Sequence, residues 1–299
     1  MLLDLRMQDK IKEEDKMQTI KMANGVEIPI LGFGVFRMED EDGCIQCIHD
    51  AIDAGFRQID TAAVYRNEPA VGRAVKTCGV PREELFITTK LWVQDAGYEK
   101  SQKAIDAALG RLQMDYVDLL LIHEPFGDIY GQWRAMEEAY NAGKVRAIGV
   151  SNMYANRLMD FILHMEIPPM INQVRTNPIF QHIGTHEFME THGIVHQAHS
   201  PFSQGNKEVM SSELLLGLAD KYHRNVGQII LHWLIQRNIV TLCSTTKKER
   251  MRENLDIFDF TLTEDEMEAI KTLDRPDGNA FDNRDWRCVE ALHQMKYEY

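Results

Sequence analysis

The stretch Phe56–Tyr65, FRQIDTAAVY, decides how the whole chain is read. Its first half is an apolar strand that ends on the carboxylate of Asp60, and the loop that follows carries the phenol of Tyr65. A carboxylate at a strand end and a phenol just beyond it make half of a proton-transfer site. Working outward, other apolar runs also stop at a polar residue: Lys90 after LFITT, His123 after VDLLLI, Ser151 and Asn152 after VRAIGV, Gln173 after PMIN, His199 after IVHQA and Ser244 after IVTLC. Amphipathic helical segments separate these runs, and strand, helix, strand at this spacing predicts repeated βαβ units around a parallel sheet. In a closed α/β barrel the chemistry gathers at the carboxyl ends of the strands, which is where each of these residues falls. The expected fold is α/β, a (β/α)8 TIM barrel.

The flanking segments fit that reading. Thr19 to Met22 and Glu27 to Ile30 surround Asn24-Gly25, a two-residue hairpin signal, and a hairpin ahead of the first barrel strand would plug one end. Strands are expected at 31–35, 56–60, 85–90, 117–123, 145–151, 170–174, 194–198 and 239–243. Helices are expected near 42–54, 68–77, 99–112, 129–141, 155–165, 182–191 and 248–257, with one more from the capping residue Thr263 to Leu273. The beat breaks after the seventh strand, where the loop SPFSQGNKEVM precedes two helical segments at 213–222 and 226–237. A long loop of small polar residues suits a position over a ligand. Beyond Asp274 the pattern is lost, and a tail bearing Pro276, Gly278, Phe281 and Trp286 reads as irregular, either folded over the mouth or solvated. Residues 1–16 read as a disordered extension and 17–299 as a single barrel domain.

The chain has 299 residues, which could mean two domains, but α/β barrels of this size are commonly one. Apolar residues make up 44% and charged residues 26%, as in a globular protein with a sizeable core. The net charge of -13 disfavours nucleic acid and anionic lipid, both of which need a basic face. No apolar run is long enough for a membrane span, and MLLDLRMQDKIKEEDK is too acidic for a secretory signal. Five cysteines without framework spacing point to a reducing, cytoplasmic setting. Cys44 and Cys47 form a CxxC, but inside a helical pattern and with no second pair, so they read as buried helix residues. His182 and His186 have helical spacing without an HExxH, and His192, His196 and His199 straddle a helix end and a strand, so no metal site is expected. Gly32-Phe33-Gly34 lacks the third glycine of a dinucleotide loop.

Asp60, Tyr65, Lys90 and His123 come from the ends of consecutive strands. Tyrosine titrates near ~10 and is a weak acid alone, whereas an ammonium a few Å away would lower that by roughly one to three units. Asp60 would keep Lys90 protonated and in place, making Tyr65 a usable proton donor, and His123 could hydrogen-bond a substrate oxygen. The group suits protonation of an alkoxide forming on a carbonyl carbon. Ser151, Asn152 and Gln173 are neutral groups suited to gripping an amide such as a nicotinamide carboxamide, and His199 could stack on a flat ring. Lys247, Lys248 and Arg250, just past Ser244, form a basic cluster where an adenosine phosphate would need one. Trp92 follows Lys90 by two and so faces the same side, as a pocket wall. Together these make a hydride-transfer site.

In order along the chain, NGVEIPILGFG, IDTAAVYRNE, ITTKLW, YVDLLLIHEP, GKVRAIGVSN, INQV, HSPF and ERMREN resemble the aldo-keto reductases from Met17 to about Asp274. The resemblance implies a barrel that binds NADP(H), with NAD(H) as the alternative, without a Rossmann unit. It implies reduction of a small-molecule aldehyde or ketone by a monomer. By motif, the catalytic tetrad falls on Asp60, Tyr65, Lys90 and His123. Ser151, Asn152 and Gln173 would hold the carboxamide, His199 would stack on the ring, Ser200 would line the pyrophosphate, and Arg250 and Asn254 would contact the adenosine end. Gly34, Val35, Asp60, Phe202, Ser244, Thr245 and Lys247 complete the implied cofactor side, and Phe36, Tyr65, Trp92, His123, Glu124 and Phe126 the substrate side. The chain also departs from the family pattern. His199 stands for a usual Tyr, Leu242-Cys243-Ser244-Thr245 for IPKS, Phe36 for a frequent Trp, Glu124 for Trp or an apolar residue, and Arg175-Thr176-Asn177 for an acidic and aromatic run. Two other readings compete: a barrel lyase with Lys90 as Schiff-base nucleophile, which the neighbouring Asp60 opposes, and a nucleotide-sensing module without turnover.

Overall fold

The computed structural model describes residues 18–275 and 282–298. The expectations for residues 1–17, Pro276, Gly278 and Phe281 lie outside the described residues.

The chain opens with a hairpin, β1 (Thr19–Lys21) and β2 (Glu27–Pro29), paired antiparallel with Thr19 opposite Pro29. Its loop differs from the two-residue turn expected from Asn24-Gly25. The Met22 N–H donates to Val26 O at 2.9 Å, leaving a three-residue loop in which Gly25 takes φ +88° and Asn24 keeps a negative φ. That is a turn closed by a left-handed glycine, a common three-residue solution. Asn24 Nδ2 donates to Arg146 O at 2.9 Å, so the hairpin lies against the amino-terminal end of the barrel.

Eight parallel strands then close on themselves: β3 (Leu31–Gly34), β4 (Gln58–Asp60), β5 (Phe86–Leu91), β6 (Leu119–Ile122), β7 (Ile148–Ser151), β8 (Ile171–Arg175), β9 (Val195–His199) and β10 (Val240–Cys243). Each strand pairs with its sequence neighbours, and β10 completes the ring on β3 with Thr241 opposite Leu31. The fold is a (β/α)8 TIM barrel. The helices between strands are α1 (Glu41–Ala54), α2 (Glu68–Thr77), α3 (Tyr98–Leu112), α4 (Ile129–Asn141), α5 (Ala155–His164) and α6 (Ile183–Thr191). After β9 come the short α7 (Lys207–Met210), α8 (Glu213–Tyr222) and α9 (Val226–Gln236), then α10 (Lys248–Leu255) and α11 (Glu264–Lys271) beyond β10. Local sequence fixes their starts: Asp40 accepts from Gly43 N at 2.7 Å, and Thr263 with Glu266 forms a capping box.

The strands read as continuous apolar runs because both faces are covered, and all four residues of β6 are buried. Phe33, Phe56, Trp133 and Phe161 fill the space between sheet and helices, each burial stabilising by about 2–3 kcal/mol. Close approaches demand glycine at several positions, Gly32 and Gly72 among them. A Cβ on Gly32 would meet Gln58 Oε1 at 2.4 Å inside the barrel, and one on Gly72 would meet the Leu112 carbonyl at 2.1 Å, where α2 crosses the end of α3.

The tail contains a helix that its sequence did not suggest, α12 (Trp286–Gln294), capped by Asp285, whose side chain accepts from Arg287 N. It crosses the carboxyl-terminal mouth. Asn283 Nδ2 donates to Asn152 O at 2.7 Å at the β7 end, and Trp92 Nε1 donates to Met295 O at 2.6 Å at the β5 end. The buried Tyr297 hydroxyl donates to Asp95 at 2.6 Å, and Leu292 and Tyr297 pack against Trp92 and Val93. Of the two dispositions expected for the tail, the described part adopts the one folded over the mouth.

Candidate active site

Strand β4 ends on Asp60, and a single 3-10 turn, Ala63–Tyr65, lifts Tyr65 above it before Arg66 closes the turn at φ 61°. Strand β5 brings Lys90 alongside. Its ammonium, fully buried, pairs with Asp60 Oδ1 and donates to the Thr61 carbonyl at 2.9 Å. Lys90 Nζ lies 5.2 Å from the centre of the Tyr65 ring, and the His123 ring stands edge-on to Tyr65 at 5.6 Å and to Trp92 at 5.0 Å. All four residues expected at a proton-transfer site thus lie side by side. Phe36, half-exposed, packs on the other side of Tyr65 at 5.0 Å, while Phe126 reaches His293 of the tail at 6.1 Å.

Electrostatics correct one expectation. Tyr65 was expected to be acidified by Lys90, yet its phenol is raised above its ordinary value, first by burial and then by the charges of Asp60 and Glu124. Burial is the main cause, since it strips a phenolate of its hydration, and the nearby Lys90 ammonium is already paired with Asp60. Burial lowers Lys90 from its ordinary value further than its pairing with Asp60 raises it. His123 is likewise held well below its ordinary value by burial, then by Lys90 and His199, so it is neutral at pH 7, with Nδ1 buried and unpartnered.

The residues expected to grip an amide, Ser151, Asn152 and Gln173, occupy the next two strand ends, those of β7 and β8. Ser151 Oγ donates to Gln173 O at 2.7 Å, and Gln173 Nε2 donates to Asp60 Oδ2 and Gln197 Oε1, both at 2.9 Å. Gln173 thereby ties this row to the Asp60–Lys90 pair, a link that spacing alone does not reveal. Asn152 sits in the left-handed region at φ 60°, which asparagine tolerates, and its Nδ2 donates to His123 O at 3.2 Å and Glu124 Oε1 at 2.9 Å. His199 Nε2 lies 3.4 Å from Asn152 Oδ1, and burial, then Arg175, brings His199 down to about 3. Glu124 is buried, which pushes its carboxyl up to about 8 against the hydrogen bonds from Asn283 and Asn152, and its Oε2 has no partner.

Further round, Ser200 follows β9 in a left-handed conformation, and Phe202 packs between the barrel core and the apolar residues of α8 and α9. Ser244 and Thr245 follow β10, with Asn254 buried in α10 behind them. Gly34 and Val35 end β3, where the Val35 N–H donates to Asp60 O at 3.1 Å. The expected basic cluster is reduced, because Lys248 turns away to pair with Asp50 at 2.7 Å. Lys247 and Arg250 are exposed and without a carboxylate partner among the described residues.

The remaining motifs have other uses. Cys44 and Cys47 are buried in α1 with their thiols pushed up by burial to about 12 and about 11, which makes them poor nucleophiles. His196 turns away from His199, as strand alternation requires, but meets His186 at 3.1 Å and Thr176 Oγ1 at 2.8 Å in a buried polar chain. Among the described residues no group of three or more His, Cys, Asp and Glu side chains could hold a metal ion. No described helix is long and apolar enough to cross a membrane. The sequence marked Arg175 only as a departure and gave it no place in the site, although it lies two residues past Gln173 and therefore on the same face; it missed Asn283, for which the irregular tail carried no periodic signal.

A parallel barrel with a buried lysine–carboxylate pair below a phenol, flanked by a neutral histidine and a row of serine, asparagine and glutamine side chains, defines a carbonyl-reducing oxidoreductase. Residues 31–275 match the Aldo/keto reductase family, and the chain belongs to that family. Among its relatives, the glyoxal reductase of Bacillus subtilis is 43% identical over 258 residues, covering 86% of this chain and 93% of that protein. In structure, the aldo-keto reductase MGS-M4 from a Medee basin deep-sea metagenome library is similar with a TM-score of 0.83 and 40% identity, over 85% of this chain and 94% of that one. An aldo-keto reductase of Bombyx mori in complex with NADP has a TM-score of 0.84 and 33% identity, over 91% of this chain and 97% of that one.

Proposed function

We propose that this chain reduces the carbonyl group of a small aldehyde or ketone with NADPH, Tyr65 donating the proton. One observation carries the reading: the buried Asp60–Lys90 pair lies beneath the Tyr65 ring, Nζ 5.2 Å from its centre, with His123 edge-on beside it. The residues at the mouth suit the cofactor, since Glu124 Oε2 is a buried polar atom without a protein partner beside Asn152 and His199. Ser151, Asn152, Gln173 and His199 would hold the nicotinamide, and Lys247 and Arg250 the adenosine phosphate. The complex of the Bombyx mori relative with NADP supports this choice. When bound, NADPH supplies the hydride to the carbonyl carbon.

The chain's own residues supply the proton and its control. Because Tyr65 is raised, it remains a phenol throughout the neutral range and always carries the proton to give. His123, neutral at pH 7, can hydrogen-bond the carbonyl oxygen without delivering a competing proton. As negative charge grows on that oxygen, the phenolic proton moves to it, and the phenolate left behind faces the Lys90 ammonium. Asp60 and the Thr61 carbonyl keep that ammonium from moving. The relative named as a glyoxal reductase favours small dicarbonyls as substrates. The test is consumption of NADPH in the presence of glyoxal. Tyr65→Phe should lower kcat by about a thousandfold, within the range of a lost general acid, with NADPH affinity unchanged. Unchanged turnover in that variant, or none in the wild type over a panel of small aldehydes, would sink the proposal.

A further inference from the structure

Arg175 is the last residue of β8 and sits opposite His199 of β9 in the strand register. Alternation places it one step above Gln173 on the inward face. Arg175 and His199 line one cavity of about 70 Å³, together with Glu124, Asn152, Tyr154 and Asn283. Arginine in such a place ordinarily pairs with a carboxylate or forks onto a carbonyl. Arg175 does neither: its Nε is buried without a hydrogen bond, and no ion pair includes it among the described residues. Its charge is nevertheless felt, since after burial it is the largest influence lowering His199.

The local balance of charge is therefore one-sided. Asp60 is engaged by Lys90. Glu124, the other carboxyl on the cavity wall, is held neutral at pH 7 by burial. His199 is neutral as well. An unbalanced guanidinium faces the wall where, on the function proposed above, the nicotinamide ring binds. That ring is uncharged in the reduced cofactor and carries a positive charge in the oxidised one.

We propose that Arg175 discriminates between the two cofactor states, repelling the oxidised ring and so favouring NADPH over NADP+ at this site. Unit charges several Å apart at an effective dielectric constant near 20, further screened because Arg175 is only partly buried, correspond to about a tenfold difference in relative affinity. The direction follows from sign alone: the positive charge disfavours the oxidised product, speeds its release and biases turnover toward reduction.

The inference rests on the nicotinamide reading and is tested by binding, without turnover. Quenching of tryptophan fluorescence would be titrated with NADPH and with NADP+ for the wild type, Arg175→Met and Arg175→Lys. The ratio of the Kd for NADP+ to that for NADPH should fall about tenfold in Arg175→Met, chiefly through tighter NADP+ binding, and stay close to wild type in Arg175→Lys. An unchanged NADPH affinity in Arg175→Met reports that the variant is folded. Equal weakening of both cofactors would mean a phosphate contact or a structural role and would overturn the inference, as would an unchanged ratio. A wild-type protein that binds neither cofactor would instead overturn the functional proposal beneath it.

Discussion

Replacing Asp60 with Asn removes the one full charge that compensates Lys90. The Lys90 side chain is 0% exposed and that of Asp60 5%, so water cannot take the carboxylate's place without a cavity opening. Unit charges about 4 Å apart at an effective dielectric constant of about 20 attract by about 4 kcal/mol, and breaking buried pairs costs about 3–5 kcal/mol. The lysine has an escape, which sets a ceiling: it can lose its proton. From its ordinary value of 10.5 down to pH 7 that relief limits the loss to about 5 kcal/mol. Gln173 Nε2 also loses its charged acceptor at Oδ2. At roughly 2 °C per kcal/mol for a chain of this size, Tm should drop by about 6–10 °C in thermal denaturation followed by circular dichroism. The double variant Asp60→Asn/Lys90→Met should recover at least about 2 kcal/mol relative to Asp60→Asn alone, since it removes the stranded charge. Additive losses from the two single changes would refute the argument, because they would mean that the pair is not coupled.

Two further outcomes follow from geometry. Gly72→Ala should destabilise by about 3 kcal/mol or more, since its Cβ would stand 2.1 Å from the Leu112 carbonyl and the obstacle is backbone; a Tm within a degree or so of wild type would contradict it. Glu124 is raised in the fold from 4.5 to about 8, so its contribution to stability is complete below the lower value and is lost as pH rises through the upper one. Stability of the wild type should therefore fall by a few kcal/mol between about pH 5 and pH 8, and Glu124→Gln should flatten that fall in denaturant titrations at the two pH values. Equal slopes for the two proteins would remove Glu124 as the cause.

Much of this was legible in the linear sequence, for a physical reason. A strand buried on both faces is mostly apolar, although buried Gln58, Thr88 and Asn172 interrupt the runs, so a polar residue closing a run points to the strand end, and Asp60, Lys90, His123, Ser151 and Gln173 all lie at or near one. What escaped depends on partners far away in the chain. Helix α12 owes its place to Trp92, some two hundred residues earlier, and its own sequence has only Asp285 to announce it. The direction of Tyr65's titration could not be read either, because it turns on the burial of the phenol and then on the charges of Asp60 and Glu124 around it. Arg175 was visible as a departure, but its lack of a partner is a property of three-dimensional surroundings.

The tail's route has a practical side. Among the described residues its last anchored one, Tyr297, is fastened next to Trp92 at the mouth, whereas the opening hairpin is fastened to Arg146 at the far end of the barrel. A purification handle or surface linker fused behind Tyr297 would hang over the entrance and compete with Met295 and Tyr297 for their moorings. The same handle fused ahead of the hairpin would leave the entrance clear, which makes the front of the chain the side on which to tether this enzyme to a bead or an electrode.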